Sequence, residues 1–226
     1  CVQTNEMKAF YPAYLKKKMV VLENPLDFDE MDKQCGGQVV ERENTVISVG
    51  RLERQKDFVT LIKAYKVAAE KHPVWKLKIF GQGNRREELQ DLIEKENLGE
   101  SVKLCGVTHT PFLEMKKAKV FVLSSFYEGF PNVLCEAMHA GLPCISTRCE
   151  CGPSELIDDG KSGFLVPIGD VDVMSEKIMA LIENEGLRNE LGKNAEIATE
   201  RLKLEIICRK WRELAYSVCG KELENE

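Results

Sequence analysis

Short apolar runs alternate with amphipathic stretches along most of the chain. "MVVL" (19–22), "TVISVG" (45–50), "LKIFG" (77–81), "VKLCG" (102–106), "VFVLSS" (120–125), "LPCIST" (142–147) and "FLV" (164–166) are rich in β-branched residues and read as buried strands. Between them apolar residues recur at helical spacing. Phe58, Leu61, Ile62, Tyr65, Ala68 and Ala69 form one stripe; Leu89, Leu92 and Ile93 form another, and Met174, Ile178, Leu181 and Ile182 a third. A fourth, Ile207, Trp211, Leu214 and Val218, predicts a helix over 203–219, and Met7, Phe10, Tyr11 and Tyr14 share helical spacing near the start. Strands that are apolar throughout, rather than alternating, belong in a parallel sheet covered on both faces. The pattern predicts a doubly wound, Rossmann-like α/β fold.

Composition narrows the partners. The 226 residues are 43% hydrophobic and 31% charged, which is ordinary for a globular protein. A formal net charge of −5 gives no footprint for nucleic acid. The apolar runs fall far short of a membrane span. The chain opens at Cys1 rather than at methionine, which suggests a piece of something longer. Nine scattered cysteines do not make a disulfide framework necessary at this length. Cys105, Cys135 and Cys144 sit in apolar runs and read as small buried hydrophobes. Cys149 and Cys151 have no second pair or nearby histidine to complete a zinc site, so no metal is expected.

In a doubly wound sheet, ligands lie outside the carboxyl ends of the strands. That rule selects "GRLERQK", "GQGNRR", "GVTHTP", "SSFYEGFPN" and "RCECGPSE". "GQGNRR" (81–86) fails as a dinucleotide fingerprint because Arg86 stands where a small residue is needed, so Gly81 and Gly83 read as a tight turn. "GKS" (160–162) lacks the first glycine of a phosphate loop, Glu155 standing in its place, and reads as a surface turn. "GRLERQK" places Arg51 and Lys56 beside a helix start near Asp57, where two cations can clamp a diphosphate or simply be solvated.

"EGFPNVLCE" sets Glu128 and Glu136 on either side of a loop-to-helix transition. Phe130-Pro131-Asn132 is a natural helix start, since proline there lacks only a donor that no helix bond needs. Gly129 lets backbone pass close to a ligand, and the first-turn N–H groups face oxygens. Two such carboxylates suit acid–base work on a glycosidic bond or acceptance of sugar hydroxyls.

"GRLERQKD", "IFGQGNRREELQ", "VLSSFYEGFPNVLCEAMHAGLPCIST" and "CGPSELIDDGKSGFLVP" together resemble the donor-binding half of the retaining GT-B glycosyltransferases of family 4. The resemblance runs from about Thr4 onward, and Glu128 and Glu136 match that family's E-x7-E motif. It implies that Arg51 and Lys56 neutralise a donor diphosphate and that Glu128, at the catalytic centre, touches the transferred sugar. Backbone amides of Gly129, Phe130, Pro131, Asn132 and Val133 would hold sugar and phosphate oxygens, Glu136 would accept ribose hydroxyls, and Gly106 and Val107 would lie near the base. The acids then read hydroxyls along a nucleotide sugar.

The resemblance further implies residues 1–18 as a remnant of an acceptor-binding half, 19–202 as the donor domain, and 203–226 as a C-terminal helix and tail. His72, His109 and His139 match no catalytic position, and His139 reads as a packed histidine. The implied enzyme moves a sugar from a nucleotide-diphosphate sugar, by default a uridine one, to a glycan or lipid-linked acceptor, with no cofactor or metal. It would be cytoplasmic, with room for peripheral membrane association, and the exposed stripes leave room for pairing between chains. The piece alone would bind donor without transferring. A non-catalytic sugar-nucleotide-binding module, or a phosphorylase- or epimerase-like enzyme on the same fold, are the alternatives.

Overall fold

The computed structural model describes residues 1–36 and 40–220. The chain enters through two short helices, α1 (Asn5–Ala9) and α2 (Ala13–Lys16), then α3 (Phe28–Lys33). From there strands and helices alternate: β1 (Thr45–Val49), α4 (Phe58–Lys71), β2 (Lys76–Phe80), α5 (Arg86–Lys95), β3 (Val102–Gly106), α6 (Pro111–Lys117), β4 (Val120–Leu123), α7 (Asn132–His139), β5 (Cys144–Thr147), α8 (Pro153–Leu156) and β6 (Gly163–Val166). Three helices follow: α9 (Val171–Glu183), α10 (Glu185–Thr199) and α11 (Leu204–Cys219).

All six strands pair in parallel, in the order β3-β2-β1-β4-β5-β6. Neighbouring strand residues send side chains to opposite faces, and both faces are filled. Val46, Leu77, Ile79, Val120 and Val122 join Leu61, Tyr65, Met174 and Ile178 of α4 and α9 in one core. Ile47, Phe121, Leu123 and Cys144 join Phe112, Leu134 and Met138 of α6 and α7 in the other. β1, β4 and β5 are buried almost throughout because neither of their faces meets water. β2 and β3, toward the sheet edge, alternate and carry Lys76, Lys78 and Lys103 on their less buried side. The predicted α/β architecture is therefore the observed one.

Strand order reverses between β1 and β4. The chain first grows outward through β2 and β3, then returns to lay β4 against the free side of β1, pairing Val46 with Val120. A crevice opens beyond the carboxyl ends of two such strands, because their connections leave toward opposite faces.

Two expectations need correction. "MVVL" is not a strand of the sheet; Val21 makes a single bridge to Val2 outside it, with Leu22 N donating to Val2 O at 2.8 Å. Cys105 is only half-buried, because its strand β3 lies at the sheet edge. The stripe on α11 does not pack as a whole: Ile207 is buried, whereas Trp211 is 46% and Val218 78% exposed. The leading segment instead docks through Val2 and Thr4, both buried, and leaves Phe10, Tyr11 and Tyr14 in water. The expected frayed tail falls at 221–226, outside the described residues. Among the described residues no helix is long and apolar enough to cross a membrane.

Candidate functional site

The crevice between β1 and β4 is floored by polar groups that tie the two strand ends together. After β1 the chain makes a tight helical turn over Arg54–Lys56, which ends at Asp57 in the left-handed region (φ 44°, ψ 49°). Asp57 is also the N-cap of α4, accepting from Thr60 N at 3.4 Å and from Thr60 Oγ1 at 2.6 Å. Burial pushes its carboxyl up, against the pull of those two hydrogen bonds. This reversal sends Lys56 back across Gly50, where an added Cβ would lie 3.1 Å from Lys56 Cε.

Lys56 ends on Glu128. Its Nζ lies 2.6 Å from Glu128 Oε1, with the side chains only 12% and 8% exposed. Ser125 Oγ donates to the same carboxylate oxygen at 2.5 Å, and Thr147 Oγ1 donates to Ser125 O at 2.5 Å. Ser124 Oγ donates to Lys56 O at 2.7 Å, Phe126 N to Gln55 O at 2.8 Å, and Gln55 Nε2 to Tyr127 O at 2.9 Å. The loops after β1 and β4 are thus laced into one floor. Arg51 is different: its side chain is 67% exposed and turned to Glu53 and Gln55.

The backbone of 129–133 forms the opposite lip. Pro131 is the N-cap of α7, and no side chain caps that helix. Asn132 N donates to Phe130 O at 2.9 Å, and Pro131 has no N–H, so neither offers a donor to a ligand. Among the described residues the N–H groups of Gly129, Phe130 and Val133 donate to no protein acceptor. The five expected amides therefore reduce to three. Gly152 (φ 122°) lets the next loop press on this lip; a Cβ there would stand 2.5 Å from Pro131 Cδ and 2.9 Å from Gly129 O.

Glu136 sits just over one turn into α7, half-buried. Among the described residues no donor bonds its carboxylate, and burial alone pushes its pKa up. A half-buried carboxylate without a protein partner is an acceptor in waiting.

A cleft of about 310 Å³ adjoins the crevice, lined by Val49, Gly50, Arg51, Phe80, Gly81, Gln82, Val107, Thr108 and Pro111. Val107 lines this cleft, just after Gly106 (φ 76°) at the end of β3. Gly81 and Gly83, read from the sequence as a tight turn, also let this loop pack against the loop after β1. An added Cβ would lie 1.8 Å from Gly50 O at Gly81 and 2.4 Å from Leu52 O at Gly83. A larger concavity, about 730 Å³, lies elsewhere, around α8, β6 and α10. Its arginines are already engaged, Arg148 with Asp159 at 2.8 Å and Arg201 with Glu23 and Glu155 O. The smaller, switch-point crevice has the unused acceptor and donors, so chemistry outranks volume here.

The histidines stay out of the site's chemistry. His139 stacks 3.6 Å from Phe28 and 5.5 Å from Phe112, with neither ring nitrogen bonded. Cys149 is buried near the Lys56–Glu128 pair, but burial pushes its thiol up to about 11, so it stays protonated. Among the described residues no three His, Cys, Asp or Glu side chains cluster to hold a metal ion. Sequence reasoning assigned no role to Ser124, Ser125, Thr147 or Gln55. The available signal was two serines closing an otherwise apolar strand, since buried hydroxyls must find partners.

Comparison with known proteins adds a family. The sequence model described as "Glycosyl transferases group 1" matches residues 32–197. The chain is 32% identical, over 172 residues, to the N-acetylgalactosamine-N,N'-diacetylbacillosaminyl-diphospho-undecaprenol 4-alpha-N-acetylgalactosaminyltransferase of Campylobacter jejuni, covering 76% of this chain and 46% of that protein. It is likewise 32% identical, over 173 residues, to the poly(ribitol-phosphate) alpha-N-acetylglucosaminyltransferase of Staphylococcus aureus, covering 76% of this chain and 35% of the other. Among solved structures, a point mutant of TarM from S. aureus, in complex with fondaparinux, alpha-GlcNAc-glycerol and UDP, superposes with a TM-score of 0.76. It is 27% identical and covers 86% of this chain and 39% of that one. Anabaena HepE in complex with UDP shares the fold with a TM-score of 0.82 at 22% identity, covering 96% of this chain and 63% of that one. The chain spans less than two thirds of the length of each of these proteins.

Proposed function

The chain belongs to the group 1 glycosyl transferases, and from that membership we propose that it is the donor-binding half of a retaining GT-B enzyme using a nucleotide-diphosphate sugar. The observation that carries this reading is the site at the strand-order reversal: a buried Lys56–Glu128 pair facing three unbonded backbone N–H groups, beside a cleft sized for a base.

In this reading the base, uridine by default, enters the cleft by Val107 and Pro111, and the ribose hydroxyls donate to Glu136. The diphosphate lies against Lys56 and the Gly129, Phe130 and Val133 N–H groups, with exposed Arg51 swinging from Glu53 to join it. Charge-assisted contacts of this kind stabilise by about 1.5–3 kcal/mol each. Cations and amides placed where charge grows on the leaving diphosphate do the work a metal ion does elsewhere. Glu128 is held by Lys56 and Ser125 with one oxygen engaged, which leaves the other for a hydroxyl of the transferred sugar. It positions the sugar rather than hydrolysing it.

Relatives of known acceptor act on lipid-linked or polymer acceptors, which supports a glycan or lipid-linked acceptor here. Because this chain matches less than half of each of these relatives, we assign acceptor binding to residues outside it. A donor without a positioned acceptor does not react, since transfer needs both within near-attack distance. Isothermal titration with UDP, GDP and ADP tests the donor site, and a radiolabel-transfer assay tests the division of labour. Micromolar binding of one diphosphate with no transfer supports the reading. No binding of any diphosphate, or robust transfer by this chain alone, would refute it.

A further inference from the structure

Gln3, Asn24 and Asn132 form a hydrogen-bonded chain from the leading segment to the first turn of α7. Gln3 Nε2 donates to Asn24 Oδ1 at 2.6 Å, and Asn24 Nδ2 donates to Asn132 Oδ1 at 2.8 Å. Asn132 in turn closes the lip by donating its N–H to Phe130 O. The leading segment is anchored independently of this chain. Glu6 accepts from Cys151 N at 2.8 Å and Ser154 Oγ at 2.9 Å, while Glu155 accepts from Glu6 N at 2.7 Å and Asn5 Nδ2 at 3.0 Å. Glu155 thus fills an open first-turn N–H of α1, where carboxylates bind best, and Glu6 binds the backbone leading into α8 and the Ser154 hydroxyl. The Gln3–Asn24 bond is therefore not needed to hold the segment down.

That anchoring brings the segment to the edge of the site. The nearest atoms to the open face of Gly129 are Met7 Cε and Gln3 Oε1, at 3.9 and 4.0 Å from the point where a Cβ would stand. Gln3 spends one N–H on Asn24. Among the described residues its Oε1 accepts no bond and its second N–H makes none. An amide with a spare donor and a spare acceptor, set beside the open face of Gly129, matches a sugar hydroxyl or acetamido group.

We propose that Gln3 is a specificity-determining residue for the transferred sugar, and that Asn24 is the positioning residue that holds Gln3 and Asn132 in one register. The inference rests on the donor-site reading above. UDP ends at the diphosphate, so only a sugar-bearing ligand reaches Gln3.

Titration calorimetry with UDP, UDP-glucose and UDP-N-acetylglucosamine tests it on the chain and on Gln3→Ala and Asn24→Ala, with Asn24→Ser as the milder variant should the alanine fail to fold. Gln3→Ala is expected to lose at least fivefold more affinity for the nucleotide sugars than for UDP, the size of one ordinary hydrogen bond, and to shift the ratio between the two sugars. The Asn24 variant should reproduce that selective loss, and Gln3→Ala added to it should cost little more. Equal losses for all three ligands, or none, would overturn the proposal while leaving the donor site standing. A parent chain that binds none of the three overturns the donor-site reading itself.

Discussion

Lys56 and Glu128 stand 72 residues apart in sequence and 2.6 Å apart in space, each shielded from water by the other's loop. Removing one partner leaves the other charge buried and unpaired, which costs about 3–5 kcal/mol. Lys56→Ala is expected to lose stability on that order, and the double variant with Glu128→Ala to recover part of it. Urea melts of the four members of the cycle measure this, and strictly additive losses would show the pair is not coupled.

Gly129 separates folding from binding. Its φ is not positive, and an added methyl would meet nothing closer than 3.9 Å, so Gly129→Ala should melt within about 2 °C of the parent. A ligand phosphate or sugar oxygen lying on that N–H would meet the methyl. Affinity for the nucleotide sugar is expected to fall about tenfold, or roughly 1.4 kcal/mol. Unchanged affinity would move the ligand away from this lip.

Glu136 sets stability against binding. Its pKa is raised by burial, so the ionised form destabilises the empty fold above that raised value, and the strain disappears as pH falls below the ordinary carboxylate range. Glu136→Gln should therefore raise the melting temperature at neutral pH while weakening nucleotide binding several-fold. For the parent, diphosphate affinity should climb with pH across the raised pKa, because only the ionised form is a full acceptor. A pH-independent affinity would remove Glu136 from the ribose.

His139 makes the opposite signature. Burial holds its pKa down; Lys116 and Lys203 add to that, while Asp32 and Glu200 oppose it. Above about pH 6.5 the ring is neutral in both folded and unfolded chains, so it adds no pH dependence. Below it the unfolded chain takes up a proton that the folded chain refuses, and stability drops by up to about 1.4 kcal/mol per pH unit until the folded pKa is reached. His139→Leu should flatten the stability profile between pH 5 and 7, as read from urea melts at each pH. An unchanged slope would place the titration on another group.

How much of this could be read from the sequence depended on whether the cause was local. The six strands of the sheet were legible as short, largely apolar runs rich in β-branched residues. Those runs are little broken in β1 and β4, where both faces are buried, and interrupted by Lys78 and Lys103 in β2 and β3. α4 and α9 were legible because their stripes are wide. "MVVL" carries the same signal yet stays out of the sheet, since apolar character says that a run is buried and not what it pairs with. The α11 stripe predicted its helix, but pattern could not say that within this chain Ile207 is buried while Trp211 and Val218 stay exposed. At the site, the strand-end rule selected loops that the fold brings together, with Glu128 before Gly129, Lys56 before the helix start at Asp57, and Glu136 eight residues after Glu128. What pattern could not show was that Lys56 is spent on Glu128, or that Asn132 gives its N–H to Phe130. Both are pairings that only the folded backbone brings about.

The reversal of strand order also fixes when the site comes into being. β1, β2 and β3 can assemble through successive crossovers, but β4 reaches β1 only by closing a loop of more than seventy residues, and such long closures are slow. Lys56 waits on the early side of that closure and Glu128 on the late side. On the proposed donor reading, nucleotide affinity should therefore appear in refolding only once β4 has paired with β1, and a donor nucleotide would act as a latch on the finished sheet rather than a template for it. Half of this sheet, however well folded, holds half a site.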